Sequence, residues 1–238
     1  MSVEQSSGET ARGAARWAAA RTRLLHQIAA DTAETASWTG RPALAARVMR
    51  AIACVPREAF VAPSDGDVAY DNRPLGIGCG QTISQPFIVA LMSDLLDLAP
   101  GERVLEIGTG CGYQSAVLAE LGAAVFSVER VPELAEAARQ RLRRLGYERV
   151  HVRHGDGFDG WPQEAPFDGI IVTAAPEELP PALPPQLATG GRLVIPIGPR
   201  GDNQMLWRCV KQADGTLEMR RMLPVAFVPM LAEPSPSR

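Results

Sequence analysis

The sequence predicts an α/β domain with a doubly wound, mostly parallel sheet, an N-terminal helical extension and a C-terminal antiparallel hairpin. Three observations lead there. Short apolar runs alternate with helical patterns from Val104 to Ile197, as βαβ units do. The run Val104–Ile107 passes straight into a glycine-rich turn, Gly108-Thr109-Gly110-Cys111-Gly112, and then a helical pattern. Finally, Ala213-Asp214-Gly215 sits between two apolar runs near the C-terminus, a hairpin signal.

The elements follow in order. Residues 1–13 are small and polar and are expected to form a disordered tail. Ala14 to Ala30 and Pro42 to Ala53 carry apolar residues at helical spacing, the second with Leu44, Val48, Met49 and Ile52 on one side. Tyr70 to Gln85 is glycine-rich and lacks periodicity; Ile77, Thr82, Ile83 and Pro86 favour an ordered loop, and one this long is usually functional. Phe87 to Leu96 reads as a helix leading into the central strand. Beyond the glycine turn come a helix from Ser115, a strand Ala124–Val128, a helix Pro132–Leu145 and a strand Val150–Arg153. Pro132 in the first turn and Gly146 past the end bound the second of those helices. Phe167–Thr173 is a continuous apolar strand, typical of burial on both faces. A short helix at Leu183–Leu187, a turn at Gly190-Gly191 and a strand Arg192–Ile197 follow. The hairpin pairs Gln204–Gln212 with Leu217–Val228, and 233–238 is expected as a second tail. Residues 14–232 then form one domain.

The bulk numbers exclude several classes. With 46% hydrophobic and 21% charged residues the chain reads as a globular protein, and a net charge of −3 leaves no broad basic footprint for nucleic acid. Cys54, Cys79, Cys111 and Cys209 have no Cys-x-x-Cys spacing, which favours reduced thiols over a disulfide frame or zinc site. His26, His151 and His154 share no metal-ligand spacing, so no metal is expected. The N-terminus carries Glu4 and Glu9 and no apolar leader. The uncharged stretch Leu75–Ser93 is interrupted by glycines, Gln81, Gln85 and Pro86, which argues against a membrane span. A cytoplasmic protein is expected.

A doubly wound sheet binds ligands beyond the carboxyl ends of its strands, where strand order reverses. Three segments fall at that end: the glycine turn, Glu129-Arg130 and Asp156-Gly157. The glycine spacing is Gly-x-Gly-x-Gly, not that of a dinucleotide fingerprint. Glu106, inside the strand end, would repel a pyrophosphate and suits a ligand with a positive end, such as the ammonium and sulfonium of S-adenosylmethionine. Glu129 stands where an acid meets ribose hydroxyls, the reading its strand-end position favours over a charge placed for the dipole of the Pro132 helix. Asp156 can accept from an adenine amine while Gly157 lets the loop lie flat, or the pair is a simple turn.

The same residues carry a family resemblance. Val55-Pro56-Arg57-Glu58-Ala59-Phe60-Val61, Gly80-Gln81-Thr82-Ile83-Ser84-Gln85-Pro86, Val104 to Gln114, Arg153-His154-Gly155-Asp156-Gly157, Phe167 to Pro176 and Phe227-Val228-Pro229-Met230 resemble protein-L-isoaspartate (D-aspartate) O-methyltransferases. The glycine turn is common to many S-adenosylmethionine methyltransferases; the Gln-Thr-Ile-Ser-Gln-Pro and Val-Thr-Ala-Ala-Pro stretches are far more specific. The resemblance implies a Rossmann-like methyltransferase. It would move methyl from S-adenosylmethionine, leaving S-adenosylhomocysteine, to the α-carboxylate of isoaspartyl residues in aged proteins and peptides. The ester then closes to a succinimide, whose hydrolysis returns some normal aspartate. Ser84 is the implied catalytic residue. Thr82, Glu106, Gly108, Gly110, Cys111, Glu129, Arg130, Asp156 and Gly157 are the implied cofactor contacts. A monomer with no nucleic-acid or membrane partner is expected. Two departures stand out: Cys111 replaces a usual serine or other small residue, and about forty N-terminal residues precede the usual start.

The chemistry agrees with a carboxyl acceptor. A carboxylate is ionised at neutral pH, so a site without a catalytic histidine or metal suffices, and a neutral hydroxyl can orient the nucleophile. Ser84 could also be just a helix cap before Phe87. A base-amine methyltransferase would carry an Asn/Asp-Pro-Pro-aromatic turn where Thr173-Ala174-Ala175-Pro176 stands. A small-molecule hydroxyl acceptor would call for a base or metal. A non-catalytic binding protein is the remaining alternative.

Overall fold

The structure is a computed structural model that describes residues 3–199 and 204–232, with residues 3–15 as backbone only. Its order is α1 Val3–Glu34, α2 Ala36–Thr39, α3 Ala46–Cys54, β1 Leu75–Gly78, β2 Gln81–Ile83, α4 Pro86–Leu96, β3 Arg103–Ile107 and α5 Tyr113–Glu120. There follow β4 Ala124–Glu129, α6 Pro132–Arg144, β5 Val150–His154, β6 Phe167–Val172, β7 Leu187–Ile197, β8 Gln204–Lys211 and β9 Leu217–Val225. Among the described residues no helix is long and apolar enough to cross a membrane.

The seven-stranded sheet runs β5-β4-β3-β6-β7-β8-β9. Strands β3 to β7 are parallel; β8 and β9 return antiparallel. Strand order reverses between β3 and β6, whose register ends at Ile107 opposite Val172. The fold is therefore the mostly parallel Rossmann-like sheet with a C-terminal hairpin that the alternation predicts.

Alternating residues of the central strands feed two cores. Val104, Val125, Ile171 and Val194 pack with α3, α4 and α5, with Leu142 of α6, and with Leu24 and Ile28 of α1. Leu105, Phe126, Ile170 and Leu193 pack on the other face. There the cover is not helical: Leu183, buried, and Trp161 and Leu179, half-buried, come from loops and the flanks of 3₁₀ turns, and Leu187, buried, opens β7. Prolines at 162, 176, 180, 181, 184 and 185 explain this, because each removes an N–H donor and resists a helix interior.

Four elements differ from the sequence reading. Helix α1 takes in residues 3–13, which were expected as a tail; Ala11, Ala14 and Ala15 and the absence of proline let the helical pattern extend backwards. The expected tail 233–238 lies outside the described residues. The Tyr70–Gln85 segment contains the small hairpin β1–β2, whose strands of four and three residues are too short to show a period. Gly190-Gly191 lies inside β7, not before it: the pairing slips between Phe167 and Gly169, and Gly190 takes φ of 77°. Glycine here makes an irregularity within a strand. Lastly, β9 ends at Val225; Pro224 and Pro229 cannot donate to a ladder, and the chain leaves the sheet.

Helix α4 is the hydrophobic axis of the larger core, and Leu91 at its centre is 0% exposed. Leu91→Ala should lower the free energy of unfolding by about 2–5 kcal/mol, read from urea midpoints. A loss well below 1 kcal/mol would mean that this helix is not the axis of the larger core.

Candidate active site

Four strand ends, those of β3, β4, β5 and β6, are tied together by backbone. The Gly108 N–H donates to Val128 O at 2.8 Å, that of Thr173 to Ile107 O at 2.9 Å and that of Gly155 to Glu129 O at 3.0 Å. The Thr173 hydroxyl adds bonds to Ile107 O at 3.0 Å and Gly108 O at 2.7 Å. Gly108 has φ of 94°, and a Cβ there would lie 2.4 Å from Thr173 Oγ1. Only glycine fits, on grounds of both conformation and space. Gly112 caps α5 with φ of 90°, and Arg141 of α6 holds the turn from outside through Cys111 O at 2.8 Å.

Glu129 closes the other side. One carboxylate oxygen accepts the Gly110 N–H at 2.8 Å and the other the Val131 N–H at 2.9 Å. The acid thus fastens the glycine turn to the start of α6 and still has lone pairs for a ligand. Gly157 lies flat against β3: a Cβ there would meet Ile107 Cγ2 at 2.5 Å and Met230 Cε at 3.1 Å.

These segments enclose a cleft of about 880 Å³, open mouth included. Of the residues singled out in the sequence, Thr82, Ser84, Gly108, Gly110, Cys111, Glu129, Arg130 and Gly157 line it. Two do not. Asp156 stands one residue from the wall, half-buried, and its Oδ1 accepts the Phe158 N–H at 2.8 Å. Glu106, expected to face a cationic ligand, is 0% exposed and lies beneath the floor. Its Oε2 accepts from the Ser115 hydroxyl and from Ser127 Oγ at 2.6 Å, and Oε1 has no partner among the described residues. Strand alternation explains the position: Leu105 and Ile107 face one core, so Glu106 points the other way, under α5.

Burial is the main cause that raises the Glu106 carboxyl to about 7; the serine bonds oppose it and the charge of Glu129 adds to it. Cys111 is buried too, and burial pushes its thiol up despite Arg57 and Arg141, the opposite of an activated nucleophile.

Sequence reasoning missed one wall. After β9 the chain crosses the end of β6. Val228 O accepts the Ala175 N–H at 2.8 Å, Ala175 O accepts the Met230 N–H at 2.8 Å, and the Gln204 side chain holds Phe227 through both backbone groups. Val228 to Leu231 thereby line the cleft. Phe227-Val228-Pro229-Met230 was visible as a motif, but nothing local in it indicates which strand end it covers. A second cavity, about 1010 Å³ with its open mouth, lies along Pro224–Val228 and meets the first at Thr82, Ser84 and Thr173.

The family model of protein-L-isoaspartate(D-aspartate) O-methyltransferases matches residues 40–234. The chain belongs to this family. A Polaromonas protein named protein-L-isoaspartate O-methyltransferase 2 is 51% identical over 210 residues, which are 88% of this chain and all of that protein. A relative of the same name from Syntrophobacter fumaroxidans is 50% identical, with 90% of this chain and 87% of that protein covered. A solved protein-L-isoaspartate O-methyltransferase superposes with a TM-score of 0.74 at 29% identity, over 88% of this chain and 65% of that chain. The family match begins at residue 40, so α1 lies ahead of it.

The buried Glu106 has a measurable signature. Its raised pKa means that the folded state holds this proton more tightly than the unfolded chain. The resulting stabilisation is complete below pH ~4.5 and is lost as the pH rises through about 7. Glu106→Gln stays neutral throughout. It should gain on the wild type between pH 5 and pH 8, by up to roughly 3 kcal/mol, in urea unfolding at both pH values. An identical offset at the two pH values would remove the buried charge from the account.

Proposed function

We propose that this chain transfers the methyl group of S-adenosylmethionine to the α-carboxylate of L-isoaspartyl residues in damaged proteins and peptides, as a repair enzyme of the cytoplasm. The observation that carries the reading is the meeting of two cavities at Ser84. One has a nucleotide-type cradle, and the other runs along an extended stretch of chain, Pro224–Val228, suited to a peptide.

The residues present fit the cofactor. The glycine turn, Glu129, Arg130 and Gly157 would hold the nucleoside, the acid through ribose hydroxyls, and Thr82 and Cys111 would border the methionine end. When bound, S-adenosylmethionine supplies a methyl group activated by a positive sulfur. The protein's share is placement. Ser84 orients the acceptor carboxylate, and its neutral hydroxyl leaves the oxygen's nucleophilicity intact. Val228, Met230 and Leu231 limit water at the reacting atoms. The carboxylate arrives ionised, so no residue is required to remove a proton.

The helix-cap alternative for Ser84 loses ground. The N-cap of α4 is Gln85, with Pro86 following, and no side chain caps it. The Ser84 hydroxyl has no hydrogen-bond partner among the described residues and sits at the junction of the cavities.

An isoaspartyl peptide should accept methyl, and the same peptide with L-aspartate should not; equal methylation of both would sink the repair reading. Ser84→Ala should fold normally, bind S-adenosylmethionine within about threefold of wild type, and slow single-turnover methylation by on the order of a hundredfold. A wild-type rate would remove Ser84 from the chemistry.

Glu129→Ala should weaken cofactor binding in calorimetry by at least ~1.5 kcal/mol, because charge-assisted bonds are lost and the Gly110 and Val131 N–H groups lose their acceptor. Unchanged affinity in a folded variant would take Glu129 out of the site.

A further inference from the structure

We propose that Arg57 is a positioning residue for methyl transfer, fixing Ser84 relative to the cofactor cradle. This inference rests on the reading of Ser84 given above.

Arg57 opens a 3₁₀ turn, Arg57–Phe60, and is 0% exposed. Among the described residues no carboxylate pairs with it. Its Nε donates to Ala69 O at 2.9 Å and its Nη2 to Ser84 O at 2.9 Å. The guanidinium carbon lies 4.8 Å from the ring centroid of Tyr113, which Phe60 braces edge-on at 5.5 Å. Nη1 and the Tyr113 hydroxyl are both buried without closing a hydrogen bond, although the guanidinium charge acts on that hydroxyl. Burial lowers the pKa of Arg57, as expected for a cation removed from water without a counter-ion.

An uncompensated buried cation is an unfavourable way to hold a core together. Its contacts suggest why it is there. Ser84 lies on the wall shared by the two cavities, and Tyr113 lines the cofactor cleft. One rigid planar group therefore touches both walls. The fork of Nε and Nη2 sets two carbonyls at a fixed separation while its face rests on the ring, a geometry that lysine's single ammonium cannot reproduce. Ser84 has no helix cap to hold it. Its carbonyl bond to Arg57 is the side-chain tie that remains among the described residues, and fixing that carbonyl fixes the backbone from which the hydroxyl is presented. Arg57 touches neither substrate nor cofactor in this account; it acts through Ser84.

The test is a double-mutant cycle. Wild type, Arg57→Lys, Ser84→Ala and the double variant are compared in single-turnover methylation of an isoaspartyl peptide at saturating S-adenosylmethionine, with cofactor affinity measured by calorimetry. Arg57→Lys should slow the step by about tenfold or more, as a displacement of less than ~1 Å can, and leave cofactor affinity within about threefold. In the Ser84→Ala background the same substitution should have little further effect. Three results would overturn the proposal: a wild-type rate for Arg57→Lys, a loss carried mainly in cofactor affinity, or the same fold-loss with and without the Ser84 hydroxyl. A wild-type rate for Ser84→Ala would instead overturn the reading of Ser84 and this one with it; a slow Ser84→Ala with additive losses overturns this one alone. If Arg57→Lys does not fold, Arg57→Gln, which removes the unpaired charge, takes its place with the same expected pattern.

Discussion

The site depends on the contact between Gly108 and Thr173. Strand order reverses between β3 and β6, and the two strand ends must be held at that point or the crevice has no floor. The Thr173 side chain does this by bonding carbonyls on both sides of the first turn residue. It reaches them because position 108 has no side chain, a Cβ there falling 2.4 Å from its oxygen. Everything later in the turn inherits that geometry. Gly110 is presented to Glu129, Gly112 starts α5, and the cleft opens between them. A glycine that looks like a ligand-binding feature is first a condition for joining two strands.

Charge is handled unusually in this interior. Glu106 and Arg57 are both fully buried, yet neither is neutralised by an opposite charge among the described residues. Glu106 relies on two serine hydroxyls and a raised pKa. Arg57 relies on two carbonyls and a ring. One lies under the cradle and the other behind Ser84. Removing a charge from water without a partner opposes stability, so both residues mark places where positioning outweighs packing. Oriented neutral dipoles do the holding.

Much of this was legible in the sequence, for identifiable reasons. Val104–Ile107 and Phe167–Val172 are mainly apolar runs, each carrying a single acid, Glu106 and Asp168, and mainly apolar runs of that length are buried parallel strands. Pro132 and Gly146 marked the bounds of α6. The glycine turn, Glu129 and Gly157 were found because strand ends converge in any doubly wound sheet. What was not legible depends on partners distant in sequence. The direction of Glu106 follows from which face of β3 meets α5. The hairpin Leu75–Ile83 is pinned by Leu75 and Ile83 in the larger core and not by a period of its own. Arg57 stands in a stretch that carries the family resemblance but nothing around it in sequence gives it a role, and only its carbonyl partners twelve and twenty-seven residues away give it a task.

The crossing of the last described segment over β6 also bears on the order of events in folding. Val228 and Met230 bond to Ala175, more than fifty residues earlier in the chain, and the same stretch walls the cleft. During synthesis the cradle from β3 to β6 emerges well before this wall. Contacts that span so much chain form late, because loop closure must precede them. A ligand that needs the completed wall binds only the finished molecule, and by mass action favours the docked C-terminal segment over a detached one. The cofactor would then serve the young protein as a clasp on its own final turn of chain.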